Sequence, residues 1–295
     1  MLYVGADPVE HAAEAVRQAR AHGARAAFVT NNASRRPERV ARHLVELGIP
    51  AQAGDVVTSA QAAARLLARR LAPGSAVLVL GTADLAEEVL DAGLRPVRTV
   101  REAGGRVEAV VQGLSTDTSW TDLAEACVAI RAGALWVAGN TDSTYPSPRG
   151  PLPGNGAFVA ALAAATGSQP VVVGKPEPEL HRASVQRVGA VRPLVVGDRL
   201  DTDVLGAVRG GSDSLLVLTG VTDLDLLLAA AAGSRPTYVG ADLRALSQPQ
   251  PSVGLDGDRA VCGVGGASYA GGRVRPDGGS VDDLRAACAL AWRAR

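Results

Sequence analysis

Short apolar runs alternate with amphipathic stretches along most of this chain, and that alternation restricts the fold more than any other feature. Ala26-Ala27-Phe28-Val29, Val77-Leu78-Val79-Leu80 and the runs at 107–111, 134–138, 170–173, 193–196 and 214–218 are too short for helices and end at Gly or polar residues. They read as buried strands. Between them, 9–22, 37–47, 58–71, 83–92, 120–132, 177–188, 202–210 and 223–232 carry helical periodicity. Strands alternating with helices predict an α/β fold with a mainly parallel sheet covered on both faces. The pattern changes after about residue 250, where Asp256-Gly257 and several glycines predict a small hairpin. A closing helix is expected over 280–294, with Ser280 as its N-cap.

The chain has 295 residues, 47% hydrophobic and 20% charged, with a formal net charge of zero. That balance supports a compact core and argues against a nucleic-acid binder, which usually carries a basic excess. No apolar stretch reaches 18 residues, so no membrane helix is expected. No signal peptide is visible, and Cys127, Cys262 and Cys288 are too few and too scattered for a disulfide framework or zinc site. A cytoplasmic location follows as an expectation. His11, His22, His43 and His181 have no metal-ligand spacing. Of the 30 basic residues, 29 are Arg and one, Lys175, is Lys. A lysine that survives such a bias is expected where a compact, movable ammonium is needed and a guanidinium does not fit.

In a parallel α/β sheet, ligands bind at the carboxyl ends of the strands. Three expected strands end in polar clusters: Thr30-Asn31-Asn32, Gly174-Lys175-Pro176, and Gly197-Asp198 followed by Asp201, Thr202 and Asp203. Singly, each has a plainer explanation, as a strand cap, a solvated turn or acids at a helix start. Together they supply a hydroxyl, a cation and an oxygen-only carboxylate cluster suited to a hard cation such as Mg²⁺. That combination suits a phosphoryl group, whose oxygens must be stabilised during transfer.

In this order the three clusters resemble the second, third and fourth motifs of the haloacid dehalogenase superfamily. The long insert between the first two looks like the α/β cap of its class IIA, NagD-like phosphatases. Gln112-Gly113-Leu114-Ser115, 129–137 and Pro153-Gly154-Asn155-Gly156 are most similar to actinobacterial glycerol 3-phosphate phosphatases. The resemblance covers about residues 1–247. It implies a Rossmann-like core over 1–72 and 169–247, an α/β cap over 73–168 and a C-terminal extension over 248–295. It also implies hydrolysis of a small phosphorylated metabolite with Mg²⁺, through an aspartyl-phosphate, and pairing of two copies through the cap as a homodimer.

By that resemblance Thr30, Lys175 and Asp198 are the catalytic residues, and Thr30, Asn31 and Lys175 bind phosphate. Asp198 and Asp203 hold the metal. Asn32, Asn140, Gly154 and Asn155 are expected on the substrate, within a Pro/Gly/Ser-rich loop from the cap in the case of the last three.

The superfamily's first motif, Asp-x-Asp, would precede the segment Leu2-Tyr3-Val4-Gly5, upstream of Met1. Asp7, in an expected turn before Pro8, lacks the paired spacing, and Asp256-Gly257-Asp258 reads as a hairpin turn. The expectation is therefore a nucleophile encoded upstream of a late-assigned start, with no activity for the chain as written. Losing a central strand would strand buried backbone polar groups at about 1–3 kcal/mol each. The alternative is a catalytically dead anion-binding or regulatory protein. A receiver-like phosphoacceptor fits less well, because it would have no cap.

Overall fold

The computed structural model describes residues 1–4, 7–147 and 149–293. Gly5, Pro148 and Ala294, which fall in the expected segments above, lie outside the described residues. The chain divides into two compact units: 1–26, 47–50 and 190–295 form one, and 27–46 with 51–189 form the other.

The second unit holds a five-stranded parallel sheet among its described residues. Val171–Val172, Leu135–Ala138, Ala109–Gln112, Ala76–Leu80 and Arg95–Val97 lie side by side in that order. Burial on both faces explains why Ala76–Leu80 and Ala109–Gln112 read as continuous apolar runs rather than alternating ones. On one face, Val77, Val79, Val111 and Val137 pack with Ala60, Ala63 and Leu67 of the helix Ser59–Arg70. On the other, Leu78, Val110 and Trp136 pack with Ala126 and Ile130 of Trp120–Arg131 and with Val159 and Leu162 of Asn155–Thr166. The strand Phe28–Thr30 pairs in parallel with Val56–Thr58, setting Thr30 opposite Thr58. Thr58 then caps the helix that follows, accepting from the Gln61 amide at 3.2 Å.

Packing runs across the expected boundaries near 73 and 168. Ser59–Arg70 shares one apolar cluster with strands of the insert, and Val171–Val172 extends the insert's own sheet. Pro73-Gly74 marks a real helix end, but the buried side chains continue across it.

In the first unit, Leu194–Gly197, Asp213–Val217 and Tyr238–Gly240 form a three-stranded parallel sheet. Ala12 and Ala15 of the helix Ala12–Ala21 pack against Leu215 and Val217 of it. The helix expected at 202–210 begins instead as a π-helical turn, Leu200–Val204, and continues as Leu205–Arg209. The one expected at 223–232 is limited to Leu224–Leu228, capped by Asp223. Asp7-Pro8, expected as a turn, pairs with Tyr3–Val4 as a two-residue antiparallel strand.

The expected C-terminal hairpin is a four-stranded antiparallel sheet, Val253–Asp256, Arg259–Cys262, Gly265–Ala270 and Arg273–Pro276. Its glycine-rich turns hide the alternation. Ala260, Cys262 and Ala267 meet Ala286, Ala287 and Leu290 of the final helix, Val281–Arg293. Ser280 caps that helix as expected, accepting from the Asp283 amide at 3.1 Å while the Asp283 carboxylate accepts from the Ser280 amide at 2.9 Å. Arg285 leaves the helix to donate twice to the Val239 carbonyl, at 2.9 and 2.7 Å, and once to Asp282, at 2.7 Å. Arg285→Ala would bury that carbonyl without a donor. A loss of about 1–3 kcal/mol is expected, checked as a lower urea midpoint at unchanged slope.

Within the second unit, Glu88 is 7% exposed, and its Oε1 is buried without a hydrogen bond. The nearest cation is Arg36, at 3.9 Å. Burial raises the Glu88 carboxyl above the usual glutamate range, only partly opposed by Arg36. A raised folded value makes protonation favour the fold. That contribution is present below the ordinary range and lost as pH rises through the raised value. Glu88→Gln is therefore expected to raise the melting temperature at about pH 8, with the gain vanishing toward about pH 4. Thermal melts across that range check it.

Candidate active site

Thr30 closes the strand Phe28–Thr30, and the chain then turns sharply. The Asn32 amide donates to Thr30 Oγ1 at 3.1 Å, and the Ser34 amide to Asn32 Oδ1 at 2.6 Å. These two local bonds replace the sheet ladder and hold the loop in one shape. Thr30 Oγ1 accepts here, which leaves its hydroxyl hydrogen to donate. Asn32 spends its side-chain oxygen on the loop itself.

Asn31 reaches from this loop to the segment after Val171–Val172. Its Oδ1 accepts from the Lys175 amide at 2.7 Å, and its Nδ2 donates to the Lys175 carbonyl at 3.1 Å. A single carboxamide thus grips both backbone polar groups of the only lysine. Asn31's own carbonyl accepts from Ser59 Oγ at 2.6 Å and from Asn140 Nδ2 at 2.7 Å. Gly174 is required beside this grip. A Cβ there would overlap the Gly139 carbonyl and come within 2.9 Å of Asn31 Oδ1. Thr30, Asn31, Asn32, Asn140 and Lys175 are therefore brought into one connected loop cluster.

Asn140, Gly154 and Asn155, expected on the substrate, are buried. Asn140 is 6% exposed and Asn155 1%, and both side chains are engaged inside the unit. Gly154 opens the helix Asn155–Thr166, and a Cβ on it would overlap the Asp142 carbonyl. The expected open loop is in fact a hairpin, Thr144–Ser147 with Gly150–Pro153, whose base is stapled to that helix. The Gly154 amide donates to the Ser143 carbonyl and the Gly156 amide to the Asp142 carbonyl, each at 2.9 Å. Glycines here serve close backbone approach.

Asp198 and Asp203 belong to the first unit. Asp198 follows the strand Leu194–Gly197, and its Oδ2 accepts from the Val221 amide at 3.2 Å. Thr222 adds its hydroxyl to the Asp198 carbonyl at 2.7 Å. Asp198 Oδ1 lies 3.6 Å from the Met1 nitrogen. Asp203 plays a different part. Its Oδ2 accepts from the amides of both Asp198 and Arg199 at 3.2 Å, which fixes the turn carrying Asp198. Gly197 leaves room for this, since a Cβ there would overlap the Asp203 side chain. Asp201 instead pairs with Arg199 at 2.7 Å.

Among the described residues no three His, Cys, Asp or Glu side chains converge on one point. The donors present still fit Mg²⁺, which usually keeps several waters and takes one or two carboxylates. Asp198 offers an oriented carboxylate, and Thr219, one residue before the glycine against that carboxylate, has a buried hydroxyl without a hydrogen bond.

Sequence reading gave no role of their own to Gln112, Trp136 and Ser59, which support the loop cluster from within. Gln112 had one signal, a carboxamide ending the apolar run Ala109–Gln112.

The family model for haloacid dehalogenase-like hydrolases matches residues 1–95, and a second model of haloacid dehalogenase hydrolase-like proteins matches 172–246. The chain is 50% identical to D-glycerol 3-phosphate phosphatase of Mycobacterium tuberculosis, over all of this chain and 84% of that protein. It is 36% identical to a 5′-nucleotidase of Bacillus subtilis, over 75% of this chain and 84% of the other. Crystal structures of glycerol phosphate phosphatase from M. tuberculosis, in complex with calcium and with magnesium, superpose with a TM-score of 0.87 at 48% identity. They match all of this chain and 86% and 88% of the respective structures.

Proposed function

This chain belongs to the haloacid dehalogenase-like hydrolases, and from that premise we propose that it serves as a Mg²⁺-dependent phosphomonoesterase acting on glycerol 3-phosphate. The observation that carries the proposal is the grip of Asn31 on both backbone polar groups of Lys175, immediately after Thr30. It fixes a hydroxyl donor and the origin of an ammonium side chain in one rigid cluster, which suits a phosphoryl group. The identity to the mycobacterial glycerol 3-phosphate phosphatase supports the substrate.

In this reading the substrate's phosphoryl oxygens take the Thr30 hydroxyl and the Lys175 ammonium, while Asn31 and Asn32 keep the loop in shape. A carboxylate joined to the chain ahead of Met1 attacks phosphorus; the P–O bond to glycerol breaks, and the leaving oxygen takes a proton from a second acid of the same segment. Water then cleaves the acyl phosphate, releasing inorganic phosphate and restoring the carboxylate. Asp198 would hold Mg²⁺, with Asp203 keeping its turn in place. The metal, when bound, supplies charge neutralisation for the transferring group.

The test is hydrolysis of glycerol 3-phosphate and 4-nitrophenyl phosphate, with and without Mg²⁺. It compares the 295-residue chain with a chain extended through its native upstream coding sequence. The extended chain is expected to turn over and the shorter one to show little or none. A folded, extended chain inactive on both esters would end this reading in favour of an anion-binding protein.

In the active chain, Lys175→Arg is expected to lower kcat at least about tenfold, roughly 1.4 kcal/mol of barrier. A planar fork cannot replace a point charge on so tightly held a backbone. Steady-state kinetics check it, and near-normal turnover would show that the ammonium is not needed.

A further inference from the structure

The contacts of Asn31 continue away from Lys175 into the interior of the second unit. Trp136 Nε1 donates to Gln112 Oε1 at 3.0 Å, and Gln112 Nε2 donates to Asn155 Oδ1 at 3.3 Å. Asn155 Nδ2 donates to the Asn140 carbonyl at 2.6 Å, and Asn140 Nδ2 to the Asn31 carbonyl at 2.7 Å. Gln112 and Asn155 are each 1% exposed, and Trp136 is 3% exposed. Three buried carboxamides thus lie in series between an indole and the residue that grips Lys175.

The series has a direction. An indole N–H can only donate, so Gln112 must accept with its oxygen and donate with its nitrogen. Asn155 must then present its oxygen to Gln112 and its nitrogen to Asn140, because a main-chain carbonyl can only accept. The same holds for Asn140 against Asn31. No carboxamide can flip without setting acceptor against acceptor, so both ends fix every orientation between them. Buried polar groups are costly unless satisfied, and a fully satisfied series is correspondingly rigid. An apolar residue at Gln112 would suit the core equally well as hydrophobic filling, yet it would leave Asn155 Oδ1 and the indole N–H without these partners.

We propose that this relay is a positioning device: Gln112 and Asn155 hold Asn31 in register through Asn140, and so set the backbone of Lys175. Its consequence for turnover rests on the role given to Lys175 above, whereas its effect on the Lys175 backbone does not. Gln112 and Asn155 are positioning residues, acting through Asn31.

The single lysine supplies a direct test. Labelling the full chain with ¹⁵N-lysine gives one backbone amide signal, that of Lys175, whose N–H donates to Asn31 Oδ1. Hydrogen exchange of that signal is compared in the unsubstituted chain, Asn155→Asp and Gln112→Glu. Both substitutions keep side-chain size and remove one donor. Exchange is expected to accelerate at least about tenfold beyond what any loss of global stability accounts for. The control Val128→Ala, at a side chain 57% exposed, is expected to leave it unchanged. Exchange within twofold of the unsubstituted chain, or acceleration matched by global destabilisation, would overturn the relay. Should Asn155→Asp not fold, Trp136→Phe removes the far-end donor, and after correction for the global stability lost with the smaller ring it reads the same signal with the same two outcomes. In the active extended chain the same variants are expected to lower kcat at least about fivefold with a smaller change in KM. If that chain proves inactive, the functional reading fails while the exchange result still decides the relay.

Discussion

Asp198→Asn is expected to reduce Mg²⁺-dependent ester hydrolysis by at least about 100-fold, with a melting temperature within about 2 °C of the unsubstituted protein. The asparagine retains an oxygen for the Val221 amide, and the main-chain carbonyl still accepts from Thr222, so both of these hydrogen bonds remain. Only the charge is lost. A neutral carboxamide oxygen is a poor ligand for a hard dication that must also neutralise a phosphoryl group. Asp201→Asn is the matched control on the same turn, because Asp201 is spent on the exposed pair with Arg199. Steady-state rates and Mg²⁺ titrations of the two variants in the extended chain check the expectation. Equal activity for Asp198→Asn and Asp201→Asn would remove Asp198 from the metal site.

Gly174→Ala is expected to act on stability and activity together. The added methyl meets the Gly139 carbonyl and Asn31 Oδ1, and neither can yield cheaply. Gly139 is tied into the sheet through its amide, which donates to the Gln112 carbonyl at 2.8 Å. Asn31 is held by its two bonds to Lys175. Overpacking of this kind costs about 1–3 kcal/mol. Relief by moving Asn31 would loosen Lys175, so kcat is expected to fall at least about tenfold in the folded fraction. Urea denaturation and kinetics on one preparation separate the two effects. A variant with an unchanged urea midpoint would show that the backbone gives way more easily than its hydrogen bonds imply.

The parts of this fold governed by local periodicity were legible in the sequence. Ser59–Arg70, Ala76–Leu80, Ala83–Asp91 and Trp120–Arg131 fall within a residue or two of their expected bounds, because each has an unbroken pattern and a capped or glycine-marked end. The short strands Val56–Thr58, Arg95–Val97 and Tyr238–Gly240 were not expected. At three residues each they carry too little pattern, and neighbouring strands hold them in place. The hairpin at Thr144–Pro153 was hidden by prolines, which ordinarily argue against strands and are tolerated in a two-stranded ribbon.

For the site, residue type and order singled out Thr30, Lys175 and Asp198 as candidates, since their chemistry is written in the side chain. The parts of Asn140, Asn155 and Asp203 were not legible. Whether a carboxamide or carboxylate faces a ligand or a neighbouring amide depends on contacts between residues as far apart as Asn31 and Asn140, or Gln112 and Asn155. The bonds that Asp203 Oδ2 accepts from two main-chain amides are equally invisible in the sequence.

The bond from Arg285 to Val239 has a further consequence. Tyr238–Gly240 ends its sheet, with Val239 aiming its N–H and C=O away from the neighbouring strand Asp213–Val217. Gln250 Oε1 accepts from that N–H at 3.0 Å, and the Arg285 guanidinium donates to that C=O. Two side chains from the C-terminal segment therefore occupy the positions that a strand from another molecule would need to dock edge to edge. A chain shortened before Gln250 would expose this border as a template, and its characteristic failure would be self-association into insoluble material.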